Sequence, residues 1–203
     1  MYSNRMNSIE VPAGMIQEPL FKSGRPPAMN YGMLGSVIGH EMTHGFDSVG
    51  SYIDIEGVKN DWWTQESRKK FDELAECFIN EYSSIKYDKI NRFLNGTKYL
   101  RENIADDGGI RQSYEAFKRF EKYEGKRVRL SRLPDITSDQ LFFISYSTLW
   151  CENLASKYAR HIYNISTHSP GKYRVNVPLN NNLAFVNAFN CNAKKPEDMC
   201  RLW

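Results

Sequence analysis

Residues 39–47 read Gly-His-Glu-Met-Thr-His-Gly-Phe-Asp, and this stretch decides how the rest of the chain is interpreted. His40 and His44 are four residues apart, so on a helix both imidazoles face one side and can bind one Zn²⁺. Glu41 then lies beside the metal, where its carboxylate can take a proton from water. Residues 31–46 are apolar almost all round, which predicts a buried helix. Burying these polar side chains without a partner would be costly, which favours a metal site.

A zinc ion that catalyses hydrolysis needs a third protein ligand and an open fourth position. The metzincin pattern would place Gly at position 47 and His at position 50. The chain has Asp47 and Gly50 there, so this route is closed. The remaining candidates are His161, His168 and a carboxylate from a second helix.

Glu102 and Asp106 are the best carboxylate candidates, because they are four residues apart on a predicted helix. One can bind the zinc, and the other can accept the second ring N–H of a liganding histidine. Asp47, three residues after His44, can do the same. Spacing alone leaves a solvated helix face as an equally good interpretation of Glu102 and Asp106.

The chain has 203 residues, of which 41% are hydrophobic and 25% charged, as in an ordinary globular protein. The patterning predicts one helix-rich domain with a little β structure and no internal repeat. We predict a strand in 8–16, a loop at 22–30, a polar loop at 125–136, and loop and strand over 167–178. The predicted helices are 31–46, 64–86, 98–123 with a bend at Gly108-Gly109, 137–165 and 180–190.

Several protein classes are disfavoured by composition. The net charge is +3 with scattered basic residues, so no nucleic-acid partner is expected. No apolar run approaches the roughly 20 residues that span a bilayer, and the first residues lack a signal-peptide core. Four cysteines without C-x-x-C spacing exclude a zinc ribbon. The cysteines and the sequons at Asn95 and Asn164 favour the secretory pathway, which a fragment of a longer secreted or membrane-anchored protein would reconcile with the absent signal.

Further motifs follow the first in a fixed order. Glu102-Asn103-Ile104-Ala105-Asp106 comes next, and then His168-Ser169-Pro170-Gly171 with Arg174. With residues 11–14, 30–32, 61–64 and 200–203, this set resembles the C-terminal catalytic part of the neprilysin and endothelin-converting enzyme family of zinc metallopeptidases. The resemblance covers nearly the whole chain. It implies a single thermolysin-like zincin catalytic domain over 1–203, mainly α with a small β component (α+β).

The resemblance also implies roles for individual residues. One Zn²⁺ per chain would be bound by His40, His44 and Glu102. Glu41 would be the general base, Asp106 would orient His40, and Asp47 would be a second acid nearby. The substrate would meet two polar side chains, with His168 on the oxyanion and Arg174 on a carbonyl. An apolar pocket for the side chain after the scissile bond would contain Val37, Leu149 and Trp150.

The activity implied is that of a zinc-dependent metalloendopeptidase, secreted or in the ectodomain of a type II membrane protein. It would hydrolyse short peptides on the amino side of hydrophobic residues, using a zinc-activated water with Glu41 as base. A first alternative is a truncated, non-catalytic fragment that binds zinc or peptide. A second is a helical interaction module in which the histidine motif is incidental.

The chain departs from the family in length and in cysteine partners. Family members are several times longer, and their N-terminal helical region, a partner of the catalytic part, has no counterpart here. An Asn-Ala pair that binds the substrate backbone is also missing, because the chain begins at Met1-Tyr2-Ser3. The resemblance implies a Cys77–Cys200 bridge, whereas Cys151 and Cys191 would lack their N-terminal partners. The metal site is therefore expected to be complete and the substrate cleft half built.

Overall fold

The computed structural model describes residues 1–124, 128–192 and 194–203. Most of its regular secondary structure is helical. The helices are α1 (Pro27–Asn30), α2 (Ser36–Thr43), α3 (Gln65–Ser83), α4 (Gly96–Glu124), α5 (Ser138–Thr148), α6 (Ser156–Ile165), α7 (Gly171–Asn180) and α8 (Leu183–Phe189). A π-helical turn, Tyr31–Gly35, joins α1 to α2. Short 3-10 turns lie at Ala13–Met15, Gly50–Tyr52, Asp88–Ile90 and Pro196–Asp198. The structure confirms a mainly α fold with little β.

The β structure of the described residues is confined to short antiparallel hairpins. β1 (Tyr2–Ser3) pairs with β2 (Ser8–Ile9), and β3 (Lys86–Tyr87) pairs with β4 (Arg92–Phe93). The strand predicted within 8–16 is therefore wrong beyond Ile9. Pro12 lacks the N–H that a ladder needs, and the chain enters a 3-10 turn directly after it.

The centre of the fold is the contact between α2 and α4, and glycines make it close. A Cβ on Gly39 would lie 2.7 Å from the carbonyl oxygen of Gly109, and one on Gly108 would lie 2.5 Å from Thr43 Oγ1. The helix predicted over 98–123 is present as α4, one helix of 29 residues, and the bend at Gly108-Gly109 stays a prediction. The glycines let the helix that carries Glu102 approach the helix that carries the two histidines.

Two apolar clusters support this helix pair on either side. One packs α3 against the beginning of α4 and α7, through Phe78, Tyr82 and Tyr99 among others. The other lies between the second half of α4 and α5, and half of its buried residues are aromatic. A disulfide between Cys77 and Cys200 fastens α3 to the C-terminal segment, as the resemblance implied. Among the described residues, Cys151 and Cys191 are exposed and unpaired.

Capping chemistry was predictable from local sequence. Thr64 caps α3 by accepting a hydrogen bond from the backbone N–H of Ser67. Thr137 and Gln140 form the predicted capping box at the beginning of α5. The helix predicted at 180–190 is also present, as α8. Of the polar loop predicted at 125–136, residues 125–127 lie outside the described residues and the remainder is a loop with turns.

Other boundaries were predicted wrongly. The helix predicted over 137–165 is two helices, because the chain turns at residues 149–155 and brings Leu149 and Trp150 towards the centre. The segment predicted as a loop at 22–30 contains α1. Met42 and Phe46, expected to be buried, are 50% and 49% exposed, because α4 covers only one side of α2.

The largest error is α7, which occupies a segment predicted as loop and strand. This helix contains Pro178, which lacks the N–H that would bind the carbonyl of Arg174. In the structure, the hydroxyl of Tyr146 donates to that carbonyl at 2.6 Å. A side chain from α5 thus replaces the missing backbone hydrogen bond. Within the described residues, no helix is both long and apolar enough to cross a membrane.

Candidate active site

Three side chains from α2 and α4 converge at the centre of the molecule. The Nε2 atoms of His40 and His44 lie 3.3 Å and 3.5 Å from Oε2 of Glu102. Each of the three residues offers one ligand atom, and these atoms all lie within 4.8 Å of one another. A single metal ion between them could therefore contact all three.

The other ring nitrogen of each histidine meets a buried carboxylate. His40 Nδ1 lies 2.8 Å from Asp106 Oδ1, and His44 Nδ1 lies 2.6 Å from Asp47 Oδ2. Asp106 is 3% exposed and Asp47 is fully buried. An ionised carboxylate only accepts hydrogen bonds, so each neutral ring carries its proton on Nδ1. The lone pair of each Nε2 then faces Glu102, as a metal ligand requires.

The carboxylates dominate the electrostatics of this centre. Burial lowers the pKa of His40, but contacts with Asp106 and Glu102 outweigh it and raise the pKa to about 9. Burial raises the pKa of Glu102, yet the neighbouring His168, His40 and His44 hold it well below its usual range. For Asp106, burial is outweighed by Arg174 and His40, which lower its pKa to about 2. Excess negative charge at one point favours a bound cation.

The fit of a metal ion can be judged from one oxygen atom. Oε2 of Glu102 is buried and lies within 3.5 Å of several ring nitrogens, including Nε2 of His168 at 3.0 Å. These contacts do not have the geometry of a hydrogen bond, so the buried oxygen is left without a hydrogen-bond partner among the described residues. A partnerless buried carboxylate oxygen facing two imidazole lone pairs matches the His₂Glu set of catalytic zinc.

Glu41 lies beside the metal ligands on α2 and is partly buried. One of its oxygens, Oε2, accepts a 2.7 Å hydrogen bond from the backbone N–H of Tyr2. Strand β1 therefore holds the carboxylate in place from outside α2. The second oxygen, Oε1, accepts no hydrogen bond among the described residues and lies 4.0 Å from the N-terminal ammonium of Met1.

A cavity of about 160 Å³ opens next to His40 and Glu41. Its wall brings together the residues expected to form the apolar pocket, which are Val37, Leu149 and Trp150. The guanidinium of Arg174 also lines it, stacked 3.6 Å above the ring of Trp150. Arg174 is fixed by two hydrogen bonds to Asp106, of 2.8 Å and 2.7 Å.

His168 reaches the same centre from the loop before α7. Its side chain is 44% exposed, and its Nε2 lies 3.0 Å from Glu102 Oε2. The loop is anchored because Ser169 Oγ donates a 2.7 Å hydrogen bond to Asn103 Oδ1. His161, the other histidine left open by spacing, is exposed on α6 and is not part of the convergent group.

Comparison with known proteins agrees with this geometry. The sequence profile of Peptidase family M13 matches residues 1–201. The chain belongs to Peptidase family M13. Human membrane metallo-endopeptidase-like 1 is 41% identical and human neprilysin 39% identical to this M13 chain, each over the whole of it.

The solved structures include the zinc metalloprotease Zmp1 of Mycobacterium tuberculosis, with 29% identity and a TM-score of 0.90 over 98% of the chain. The M13 chain spans 26% and 27% of the two human relatives and 31% of the Zmp1 chain.

Sequence reasoning missed some residues of the M13 site. The side chain of Arg101 donates through Nε to Asp47 Oδ2 at 2.8 Å. Its position next to Glu102 is the only local signal, since Asp47 lies 54 residues away. Tyr146 lines the cavity, and its hydroxyl supports α7. Asn95 and Asn164 are both exposed, and their glycosylation stays a prediction.

Proposed function

We propose that the chain is the catalytic domain of a zinc-dependent metalloendopeptidase that cleaves short peptides on the amino side of hydrophobic residues. The observation that carries this proposal is the partnerless Glu102 Oε2, which faces the Nε2 atoms of His40 and His44 beside Glu41. These three residues would hold one Zn²⁺ per chain. When bound there, the ion would supply Lewis acidity, which lowers the pKa of water and polarises the substrate carbonyl.

Glu41 would act as the general base. Its Oε2 is engaged by the N–H of Tyr2, so Oε1 would take the proton from the attacking water. The same carboxyl group would then pass this proton to the nitrogen of the leaving amine. Proton transfer by a positioned side chain contributes about 10²–10⁴-fold to rate.

Two polar side chains would meet the substrate, His168 at the oxyanion that develops on the reacting carbonyl and Arg174 at a substrate carbonyl. His168 is half exposed with Nε2 pointing to the centre, so it can turn from Glu102 towards a bound carbonyl. Arg174 is held rigidly by Asp106 and Trp150 at the cavity wall and would hydrogen-bond a substrate carbonyl. Losing an oxyanion donor such as His168 typically costs about 10²–10³-fold in rate.

Specificity would come from the cavity beside His40 and Glu41. Its volume of about 160 Å³ and its apolar walls at Val37, Leu149 and Trp150 suit one large hydrophobic side chain. A residue held there would have its amide nitrogen near Glu41, so cleavage would occur on its amino side. The Cys77–Cys200 disulfide supports a location in an oxidising compartment, outside the cell or in an ectodomain.

A second candidate is a chain that binds zinc or peptide without turnover. It is favoured by Cys151 and Cys191, whose exposed thiols are unpaired among the described residues. Such thiols suggest that a further polypeptide, such as the N-terminal part of the longer relatives, would complete the cleft. Hydrolysis by this chain alone would exclude this candidate.

The test is hydrolysis of a quenched fluorescent peptide that carries leucine after the scissile bond. Wild type, Glu41→Gln and the exposed control Glu66→Gln would be compared at equal zinc content. We expect a loss of about 10²–10⁴-fold in kcat for Glu41→Gln and no change for Glu66→Gln. Equal turnover by Glu41→Gln would contradict the proposal, and zinc binding without any turnover would favour the second candidate.

A further inference from the structure

Each liganding histidine is the end of a chain of three side chains. In the first, His40 meets Asp106, and Asp106 accepts two hydrogen bonds from Arg174. In the second, His44 meets Asp47, and the same Asp47 oxygen accepts from Arg101. We call these the His40 arm and the His44 arm. The order of groups is identical, histidine then carboxylate then guanidinium.

The hydrogen bonds of Asp47 show what Arg101 does in the His44 arm. Oδ1 of Asp47 accepts two backbone N–H groups, from Val49 and Gly50, each at 2.7 Å. Oδ2 is shared by His44 Nδ1 at 2.6 Å and Arg101 Nε at 2.8 Å. Asp47 is fully buried, and within the described part of the chain Arg101 is its only arginine or lysine partner. A buried carboxylate needs such a partner for its charge.

We propose that Arg101 is a positioning residue of the metal site, holding Oδ2 of Asp47 so that His44 presents Nε2 to the metal. This inference rests on the proposed function, because it concerns a residue that acts on a zinc ligand. Among the described residues, the Arg101 side chain donates no hydrogen bond to His40, His44 or Glu102 and does not line the cavity, so it would act through Asp47.

Helix α4 carries both Arg101 and the metal-ligand candidate Glu102. Arg101 precedes Glu102 on α4, so one turn of helix supplies both a metal ligand and the group that orients another ligand. Any shift of α4 relative to α2 would disturb both together. The Arg101 side chain is 36% exposed, so its removal opens no large cavity in the core.

A merely structural role makes a different prediction, and α4 offers a matched control. Arg111 lies on the same helix and donates through Nε to the buried Asp107, also at 2.8 Å. Asp107 has no hydrogen bond to a histidine among the described residues. If arginine–aspartate pairs on α4 serve only stability, Arg101→Met and Arg111→Met should behave alike in every metal measurement.

The experiment compares wild type, Arg101→Met, Arg101→Lys and Arg111→Met as the full 203-residue chain. Zinc affinity is measured by competition with a chromogenic chelator, and the visible spectrum is recorded after cobalt replaces zinc. Thermal unfolding of each metal-free protein reports any loss of fold. Partners of liganding histidines typically contribute about 10–100-fold to metal affinity, and Arg101 lies one group further out.

We expect Arg101→Met to weaken zinc binding by about tenfold and to change the cobalt spectrum. Arg101→Lys should recover part of the affinity, and Arg111→Met should match wild type in both metal measurements. Zinc affinity of Arg101→Met within about twofold of Arg111→Met, with an unchanged cobalt spectrum, would overturn the inference. Wild-type zinc binding without peptide hydrolysis would count against the proposed function alone, and no zinc binding by wild type would overturn both.

Discussion

The His40 arm and the His44 arm meet at Glu102, but they are built differently. Asp106 lies 66 residues from His40 and is joined to Arg174, whose side chain is 10% exposed. Asp47 lies only three residues after His44, and the Arg101 side chain is 36% exposed. The first arm needs α2, α4 and α7 in place, whereas most of the second is a local turn.

Because of this difference, the two arms depend on the fold to different degrees. In the His40 arm, a removed group leaves a buried charge that water cannot reach. In the His44 arm, Arg101 can turn to solvent, and the backbone N–H groups of Val49 and Gly50 still hold one oxygen of Asp47. Equal changes in the two arms should therefore affect metal binding similarly and stability unequally.

The largest effect should come from the residue that the arms share. We expect Glu102→Gln to weaken zinc binding by more than the roughly 100-fold limit typical of outer partners, because a charged ligand is lost. Peptide hydrolysis should disappear with the zinc. Chelator competition measures the affinity, and Glu115→Gln on the exposed side of α4 is the control. Unchanged affinity in Glu102→Gln would remove Glu102 from the site.

The next effect separates the arms by stability. Asp106→Asn should lower the free energy of unfolding of the metal-free chain by about 3–5 kcal/mol, because Arg174 stays buried without its carboxylate. Asp47→Asn should cost less, about 1–3 kcal/mol, because Arg101 can be hydrated. Denaturant titrations give both values. A larger cost for Asp47→Asn would break the distinction between the two arms.

A third effect, below that of Asp106→Asn, concerns pH and the neighbour of Asp106. Burial raises the pKa of Asp107 to about 6; Arg111 and Arg201 oppose the shift, and Glu81 adds to it. The folded chain thus binds this proton more tightly than the unfolded chain, where aspartate titrates near 3.8. The resulting stabilisation of the folded chain is present below about pH 4 and is lost as pH rises through 6. The free energy of unfolding should fall by about 3 kcal/mol over this range.

We expect Asp107→Asn to lack this loss, so its free energy of unfolding should rise relative to wild type between pH 4 and pH 7.5. Asp106 has the opposite shift, to about 2, so its stabilisation is present above about pH 4 and fades as pH falls through 2. Asp106→Asn should therefore fall further below wild type as pH rises from 2 to 4. Parallel pH dependence in the two variants would contradict the opposite environments of these adjacent carboxylates.

Much of the candidate site could be predicted from the sequence, because the motifs that mark it are short and regularly spaced. The spacing of His40 and His44 sets one face of a helix, and Thr64 and Thr137 mark helix starts by cap chemistry. From spacing alone, Glu102 and Asp106 had a solvated helix face as an equal alternative. The family resemblance selected their roles, and in the structure both carboxylates lie within 3.5 Å of a ring nitrogen of His40.

The remainder depends on contacts between distant residues. In the helix at residues 171–180, the hydroxyl of Tyr146 donates to the carbonyl of Arg174, a contact that no pattern around Pro178 reveals. Arg101 reads as a surface charge until α4 packs on the turn at Asp47. The break at residues 149–155 is also set by tertiary packing, since a Cβ on Gly171 would lie 2.4 Å from the carbonyl oxygen of Trp150.

The central claim is that two imidazoles and one carboxylate meet at a single zinc ion. X-ray absorption at the zinc edge, on chain loaded with one equivalent of zinc, tests it most directly. The account predicts a first shell of nitrogen and oxygen at about 2.0–2.2 Å with the outer scattering of two imidazoles. A shell containing sulfur at about 2.3 Å, from Cys151 or Cys191, would contradict it, as would the outer scattering of fewer than two imidazoles.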